Sequence, residues 1–391
     1  MPHETIRRPI TPSLRSAVAP FLAMDVLSAA GALERAGRRI VHMEVGEPGA
    51  PTPRLAREAA ARALEAGRIG YTEALGRASL RERIARHYRE AYGVEIAASR
   101  IAVTTGSSAG FLFAFLALFE AGARVAVAEP GYPAYRNIFQ ALGIETVGLV
   151  ASAATGWRVT AAMIESAHEQ KPLDGVLLMS PANPTGTMMD AAALRDICET
   201  CDRLDIAFIS DEIYHGLTYS MAAETALRFS QRAVIVNSFS KYYCMTGWRI
   251  GWLALPENLV RPVERLQQSF AISAPFLSQV AAEAAFDARE ELEAVRAGYA
   301  RNRALLLDAL PSLGLGEFPP PDGAFYVYAD VGRFTNDSLD FAARMLNEAG
   351  VAATPGVDFD PARGGRYLRF SFAGAETEMV EALKRLRNWL R

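Results

Sequence analysis

The sequence predicts an α/β protein: a large domain on a mixed, mostly parallel sheet flanked by helices, and a smaller α+β domain. Three observations predict it. From residue 100 onward, short apolar runs alternate with helical patterns, the signature of strands joined by crossover helices. Those runs end in small polar clusters, as strands do where an open sheet binds ligands. With 391 residues, 50% of them hydrophobic, the chain can bury a core large enough for two domains.

In order, residues 1–20 are proline-rich without periodicity and read as an extended arm. Residues 21–35 have the spacing of an amphipathic helix. Residues 38–45 form a short strand entering the turn Gly46-Glu47-Pro48-Gly49. Helices are expected over 53–66, with proline near the start, and over 78–92, interrupted by Gly70-Tyr71-Thr72. Strands over 101–104, 124–128, 145–149, 175–179 and 206–210 alternate with helices over 111–119, 134–142, 161–170 and 190–204. A tight polar turn is expected over 106–110. Val234-Ile235-Val236 reads as a further buried strand. After Trp252 the pattern loosens into helices, with a long charged one over about 278–310, closed by Pro311. Strands at 323–330 and 367–372 and helices at 338–349 and 376–391 complete the smaller domain. The expected division is an arm and helix joining the small domain (1–45), a large domain (46–285) and a small C-terminal domain (286–391).

Composition excludes several classes. A net charge of −3 argues against nucleic acid or anionic membrane as partner. The arginines over 81–89 are interleaved with glutamate and read as a solvated helix face. Three cysteines do not make a disulfide framework and point to a reducing, cytoplasmic setting. Cys198 and Cys201 have redox-motif spacing, but inside a helical pattern rather than at a strand-to-helix junction. The first residues lack the apolar stretch of a secretory signal, and no run spans a bilayer. The five histidines show no metal-ligand spacing.

Lys241 follows Asn237-Ser238-Phe239-Ser240 just past a buried strand, with Arg249 eight residues on. That pattern suits a Schiff-base lysine whose carbonyl partner carries a phosphate; a solvated loop lysine is the alternative. Residues 105–110 lead from strand to helix, and their N–H groups suit a phosphate, or are an ordinary capped helix start. Asp211 ends an apolar strand and needs a partner, such as a pyridinium N–H, unless it caps a short helix. Tyr214, one helical turn on, either donates to a ring hydroxyl oxygen or is half-buried core. Asn183, between prolines, is a fixed amide or a turn former. Tyr132, in Pro-Gly-Tyr-Pro, is placed to stack on a flat ring or to pack in the core. Arg369, among aromatics on a strand, grips a substrate carboxylate or forms a structural salt bridge.

Assembled, these residues resemble fold type I pyridoxal-phosphate enzymes of the class I/II aminotransferase family. The motifs Pro-Ala-Asn-Pro-Thr-Gly, Asp-Glu-x-Tyr, Ser-x-Ser-Lys and Thr-Gly-Trp-Arg-x-Gly occur in that family's order across nearly the whole chain. The resemblance implies a seven-stranded sheet and pyridoxal 5'-phosphate as cofactor. It implies that Lys241 forms the internal aldimine, Asp211 holds the pyridine nitrogen, and Asn183 and Tyr214 contact the ring hydroxyl. Tyr132 would stack on the ring, and Ser108, Ala109, Ser238 and Arg249 would bind the phosphate. Tyr71 would reach the phosphate of a neighbouring subunit, implying a homodimer with shared sites. Arg369 would grip the α-carboxylate, with Gly46 and Asn183 nearby.

The implied reaction is ping-pong transfer of an amino group from an L-amino acid to a 2-oxo acid. Phe21, Met24, residues 69–71 and Phe325 are candidates to line the side-chain pocket; being mostly apolar, they favour a neutral or aromatic donor. A carbon–sulfur β-lyase or related synthase on the same scaffold would use the same residues. A non-catalytic ligand sensor with an aminotransferase-like domain would carry a DNA-binding segment, which the few residues before Phe21 do not resemble.

Overall fold

The computed structural model describes residues 10–316 and 318–391. The first nine residues of the expected arm lie outside the described part. Its remainder contains one short turn, Leu14–Ser16. It is strapped onto a later helix by Gln140 Nε2 donating to Ala17 O (2.9 Å) and Asn137 Nδ2 to Ala19 O (3.1 Å).

Helix α1 (Leu22–Arg35), strand β1 (Val41–His42) and helices α2 (Arg54–Glu65) and α3 (Ala78–Tyr92) come first. The strand expected over 38–45 shrinks to two paired residues, because only Val41 and His42 find partners. Then follow β2 (Ile101–Thr104), α4 (Gly106–Leu118), β3 (Arg124–Glu129), α5 (Pro133–Leu142), β4 (Glu145–Val150), α6 (Ala161–Gln170), β5 (Gly175–Met179), α7 (Ala191–Arg203), β6 (Ala207–Asp211) and β7 (Val234–Ser238). Most of these agree with expectation to within a residue or two.

Three differences matter. Helix α4 begins at Gly106, not Phe111: the glycine- and serine-rich stretch read as a turn is its first turn. Buried Phe111, Phe113 and Phe115 press α4 on the sheet, and each such burial contributes ~1.5–3 kcal/mol, more than the poor helix propensity of glycine and serine costs. Strand β8 (Gly251–Ala254) was not expected; a four-residue buried run has no periodicity to read. The single helix expected over 278–310 is two, α9 (Phe276–Ala285) and α10 (Arg289–Ser312), with α8 (Glu257–Phe270) before them. Pro311 lies inside the last turn of α10 rather than after it.

The seven-stranded sheet runs in the order β2-β8-β7-β6-β5-β3-β4, with β8 alone antiparallel to its neighbours. Near-continuous apolar strands with helices on both faces are what a buried parallel sheet requires. The rest of the chain supplies β9 (Tyr326–Asp330), α11 (Ser338–Arg344), β10 (Val351–Ala352), β11 (Thr354–Pro355), β12 (Tyr367–Ser371) and α12 (Glu376–Trp389). Strands β11, β12 and β9 form an antiparallel sheet. Strand β1 pairs in parallel with β10, and α1 packs on β10 and β11, so the N-terminal segment joins the small domain. Among the described residues, no helix is long and apolar enough to cross a membrane. Cys198, Cys201 and Cys244 are free and buried, and burial pushes their thiols up, so all three are inert at neutral pH.

Candidate active site

The carboxyl ends of β5, β6 and β7 and the start of α4 open on one cavity of about 480 Å³, closed on its far side by α1 and the small domain. Lys241, Asp211, Tyr214, Asn183, Ser108, Tyr132, Arg249, Gly46 and Arg369 all line it. Nine residues from seven chain segments therefore converge on one cavity.

Lys241 comes three residues after β7. Its Nζ donates to the Gly46 carbonyl at 2.6 Å. Burial, with Arg369 adding repulsion, pushes Lys241 down to about 8. A desolvated lysine beside other cations is a primed nucleophile.

Asp211 ends β6. It caps no helix: Oδ1 accepts the Ile213 N–H at 3.0 Å, and Oδ2 accepts the Tyr135 hydroxyl proton. Burial pushes the carboxyl up to about 7, against those two donors, which favour its charged form. Tyr135 was not anticipated. It sits three residues after Tyr132 on α5, and helical spacing was the available signal.

Arg369, on β12, is 2% exposed. Its Nη1 donates to Asn183 Oδ1 at 2.9 Å, and its Nη2 to Thr354 Oγ1 at 3.1 Å and to the Glu44 carbonyl. The guanidinium lies between the rings of Tyr326 and Phe359, 4.3 and 4.8 Å from their centroids. Its Nε has no hydrogen-bond partner, and among the described residues no carboxylate stands within ion-pair distance. The structural salt bridge considered from sequence is therefore not formed. A rigid, buried, uncompensated cation facing a cavity is a receptor for an anion. Because Asn183 Oδ1 is taken by Arg369, its amide NH₂ is left as the donor toward the cavity.

At the other end lie the first turn of α4 and Arg249. Gly106 has φ +73°, and a Cβ there would stand 2.7 Å from Arg249 Nη2. Glycine thus lets the guanidinium close over the helix N-terminus, making an anion cradle. Ser107 and Ser240 also line this end and were not singled out from sequence. Ser238 lies behind Ser240, its Oγ 2.8 Å from Ser240 Oγ and 3.0 Å from the Ile250 carbonyl oxygen. Ala109 is on α4 outside the cavity lining, so only its backbone N–H is available to an anion.

Phe325 does not reach the cavity. It is fully buried in the small-domain core, edge-on to Tyr214 at 5.4 Å. Its neighbour Tyr326 takes that place, with its hydroxyl 2.7 Å from that of Tyr214. A Cβ on Gly46 would meet the Tyr326 hydroxyl at 1.9 Å, which explains the glycine. Tyr71 is 82% exposed and also lies outside this chain's cavity. Ile69 and Gly70 are likewise absent from the lining, whereas Phe21 and Met24 are present with Ala23 and Leu27 of α1. Among the described residues, no cluster suited to a metal ion exists.

A family model described as aminotransferase class I and II matches residues 38–386. The valine–pyruvate aminotransferase of Mycobacterium tuberculosis is 49% identical over 382 residues, covering 97% of this chain and 98% of that one. The (5-formylfuran-3-yl)methyl phosphate transaminase of Methanocaldococcus jannaschii is 34% identical over 375 residues, covering 95% and 96%. A crystal structure of an aminotransferase from Mycobacterium tuberculosis superposes with a TM-score of 0.95 at 48% identity, covering 98% and 99% of the two chains. Aspartate aminotransferase from Thermus thermophilus with maleate gives 0.92 at 30% identity, covering 97% and 100%.

Proposed function

The chain belongs to the pyridoxal-phosphate-dependent class I and II aminotransferases, and we propose that it moves an amino group from a neutral, apolar L-amino acid to a 2-oxo acid. Valine and pyruvate, named in its Mycobacterium tuberculosis relative, are the first pair to test.

The single observation that carries the donor class is the charge inventory of the cavity. Among the described residues its cations are Lys241, Arg249 and Arg369. Each has work already, as amine, phosphate ligand and α-carboxylate ligand. Among the described residues, no fourth cation lines the cavity to meet a distal carboxylate, and Glu47 in the lining would repel one. The wall facing Arg369 from the α1 side is apolar: Phe21, Ala23, Met24 and Leu27.

The residues present fit pyridoxal phosphate. Arg249, Ser108 and the N–H groups opening α4 would hold its phosphate, with Ser238 acting through Ser240. Asp211 would hold its ring nitrogen, Asn183 and Tyr214 its ring oxygen, and Tyr132 its ring face. When bound, the cofactor supplies an aldehyde and an electron-withdrawing ring that acidify the donor's Cα–H. Arg369 orients the donor by its carboxylate, with Asn183 and the two flanking rings fixing the guanidinium plane. Lys241 Nζ is the base that moves the proton off Cα. In its charged form Asp211 would favour a protonated ring nitrogen, which makes the ring the electron-withdrawing group this chemistry needs.

Loaded protein, mixed with single L-amino acids and no oxo acid, tests the reading. Valine and similar donors should bleach the visible absorbance band in one turnover, and aspartate should not. Arg369→Ala should raise KM for the donor about tenfold or more while leaving cofactor affinity nearly intact. Preference for aspartate would overturn the donor class. Catalytic release of pyruvate and ammonia from a cysteine conjugate would make the protein a β-lyase instead.

The working unit in this proposal is a cytoplasmic homodimer. Ile69, Tyr71, Phe270 and Ile272 are large, exposed apolar side chains. They sit on two adjoining segments, joined where Thr72 N–H donates to Ser273 Oγ at 3.4 Å. An exposed apolar group of this kind supports a subunit interface. Buried free thiols accord with a reducing compartment.

A further inference from the structure

Helix α1 carries the apolar wall of the cavity, yet it has no N-cap of its own. The N-cap position is Phe21, whose side chain accepts nothing. The first helical N–H groups are satisfied from far along the chain instead. Leu22 N–H donates to Asp358 Oδ1 and Ala23 N–H to Asp358 Oδ2, each at 3.3 Å. Both oxygens of a 4%-exposed carboxylate are thus spent on one helix end, more than three hundred residues away in sequence. Among the described residues, Asp358 makes no ion pair.

The turn bearing Asp358, Gly356–Asp358, is itself anchored to the site. Arg136 of α5 donates to the carbonyls of Asp358 (2.7 Å) and Phe359 (3.0 Å). Gly131 N–H, next to Tyr132, donates to the same Phe359 carbonyl at 3.1 Å. The Phe359 ring covers the Arg369 guanidinium, and the Phe21 ring meets Tyr132 edge-on at 5.8 Å. One short turn therefore links the α-carboxylate receptor, the ring-stacking tyrosine and the apolar wall.

We propose that Asp358 is a positioning residue that sets donor specificity, holding Phe21 and, on α1, Met24 and Leu27 at a fixed distance from Arg369. This rests on the reading that apolar donors lie against α1. A carboxylate suits the task because it accepts two N–H groups at once and complements the positive end of the helix. The carboxylate contacts helix N–H groups, not the reacting atoms. Its loss should consequently act through the wall: long side chains that use the wall suffer, and short ones suffer less.

The test compares loaded wild type, Asp358→Ala and Asp358→Asn on leucine, valine and alanine as donors. Asp358→Ala should raise KM for leucine and valine about fivefold, the scale of a lost helix cap, with kcat nearly unchanged and a smaller effect on alanine. Asp358→Asn, which keeps one acceptor, should fall between. Amide hydrogen exchange should rise over residues 22–27 and stay unchanged in β5 to β7. In a Phe21→Ala, Met24→Ala background, Asp358→Ala should cause no further loss of selectivity. An equal loss on all three donors through kcat, or unchanged exchange in α1, overturns the proposal. If wild type turns over no apolar donor, the functional reading falls, and the exchange measurement still decides whether Asp358 clasps α1.

Discussion

At the scale of single residues, the chemistry turns on where Lys241 titrates. Its ordinary value is 10.5, and burial beside Arg369 pushes it down to about 8. The amine is therefore neutral above about pH 8 and protonated below. Capture of an aldehyde needs the neutral form. In cofactor-free protein, the rate at which the visible band grows on adding pyridoxal phosphate should rise with pH and level off near 8 to 9. A stopped-flow profile climbing steadily to pH 10 would show an unshifted lysine. Lys241 and Asp211 stood out in the sequence because a charged residue at the end of an apolar strand has few inexpensive places to be, and Arg369 because it interrupts an apolar, aromatic strand. Phe325 and Tyr326 were not told apart. The run 323–330 is apolar on both faces, so no alternation marks which side chain faces the cavity, and a slip of one residue reverses the answer.

Among the elements, α1 is held at its other end by a charged relay. His42 on β1 meets Glu44 at 2.7 Å and Glu34 of α1 at 3.1 Å. The hydrogen bond to Glu44 is the largest cause raising His42 from 6.5 to about 9. A histidine raised on folding stabilises the fold fully below its unfolded value and loses that contribution as pH climbs through the folded one. The stabilisation is thus present below about pH 6.5 and gone above about 9. Since the ring is partly open to solvent, solvent screening keeps it to ~1 kcal/mol or less. The melting temperature should fall between pH 6.5 and 9, and His42→Gln should flatten that slope when both are followed by circular dichroism. Equal slopes in the two proteins would remove His42 from the account. This relay was invisible in sequence: Glu34, His42 and Glu44 carry no motif, and only the pairing of β1 with β10 brings α1 beside them.

For the whole molecule, the question is where Tyr71 acts. It is exposed and outside its own chain's cavity. If it completes a partner's phosphate site, two defective proteins can repair each other. Tyr71→Ala retains Lys241, and Lys241→Ala retains Tyr71. Unfolded together and refolded as a mixture, they should regain activity approaching about a quarter of wild type, because random pairing makes half the dimers mixed and each mixed dimer has one intact site. No gain over the separate variants, with dimers verified by ultracentrifugation, would place each site within one chain.

Strand ends, their polar clusters and the alternation of strand and helix are local in sequence. They determined the α/β class and most of the sheet, and they pointed to the lysine and aspartate that line the cavity. What the tertiary structure alone decided involves partners distant in the chain. It placed antiparallel β8 between β2 and β7, turned the glycine-rich stretch before Phe111 into the first turn of α4, and brought Tyr326 rather than Phe325 to the cavity. It also set Asp358 under the start of α1. Hydrophobic periodicity reports which face of a segment is buried. It carries no record of which other segment covers that face, and the site's apolar wall is made by that choice.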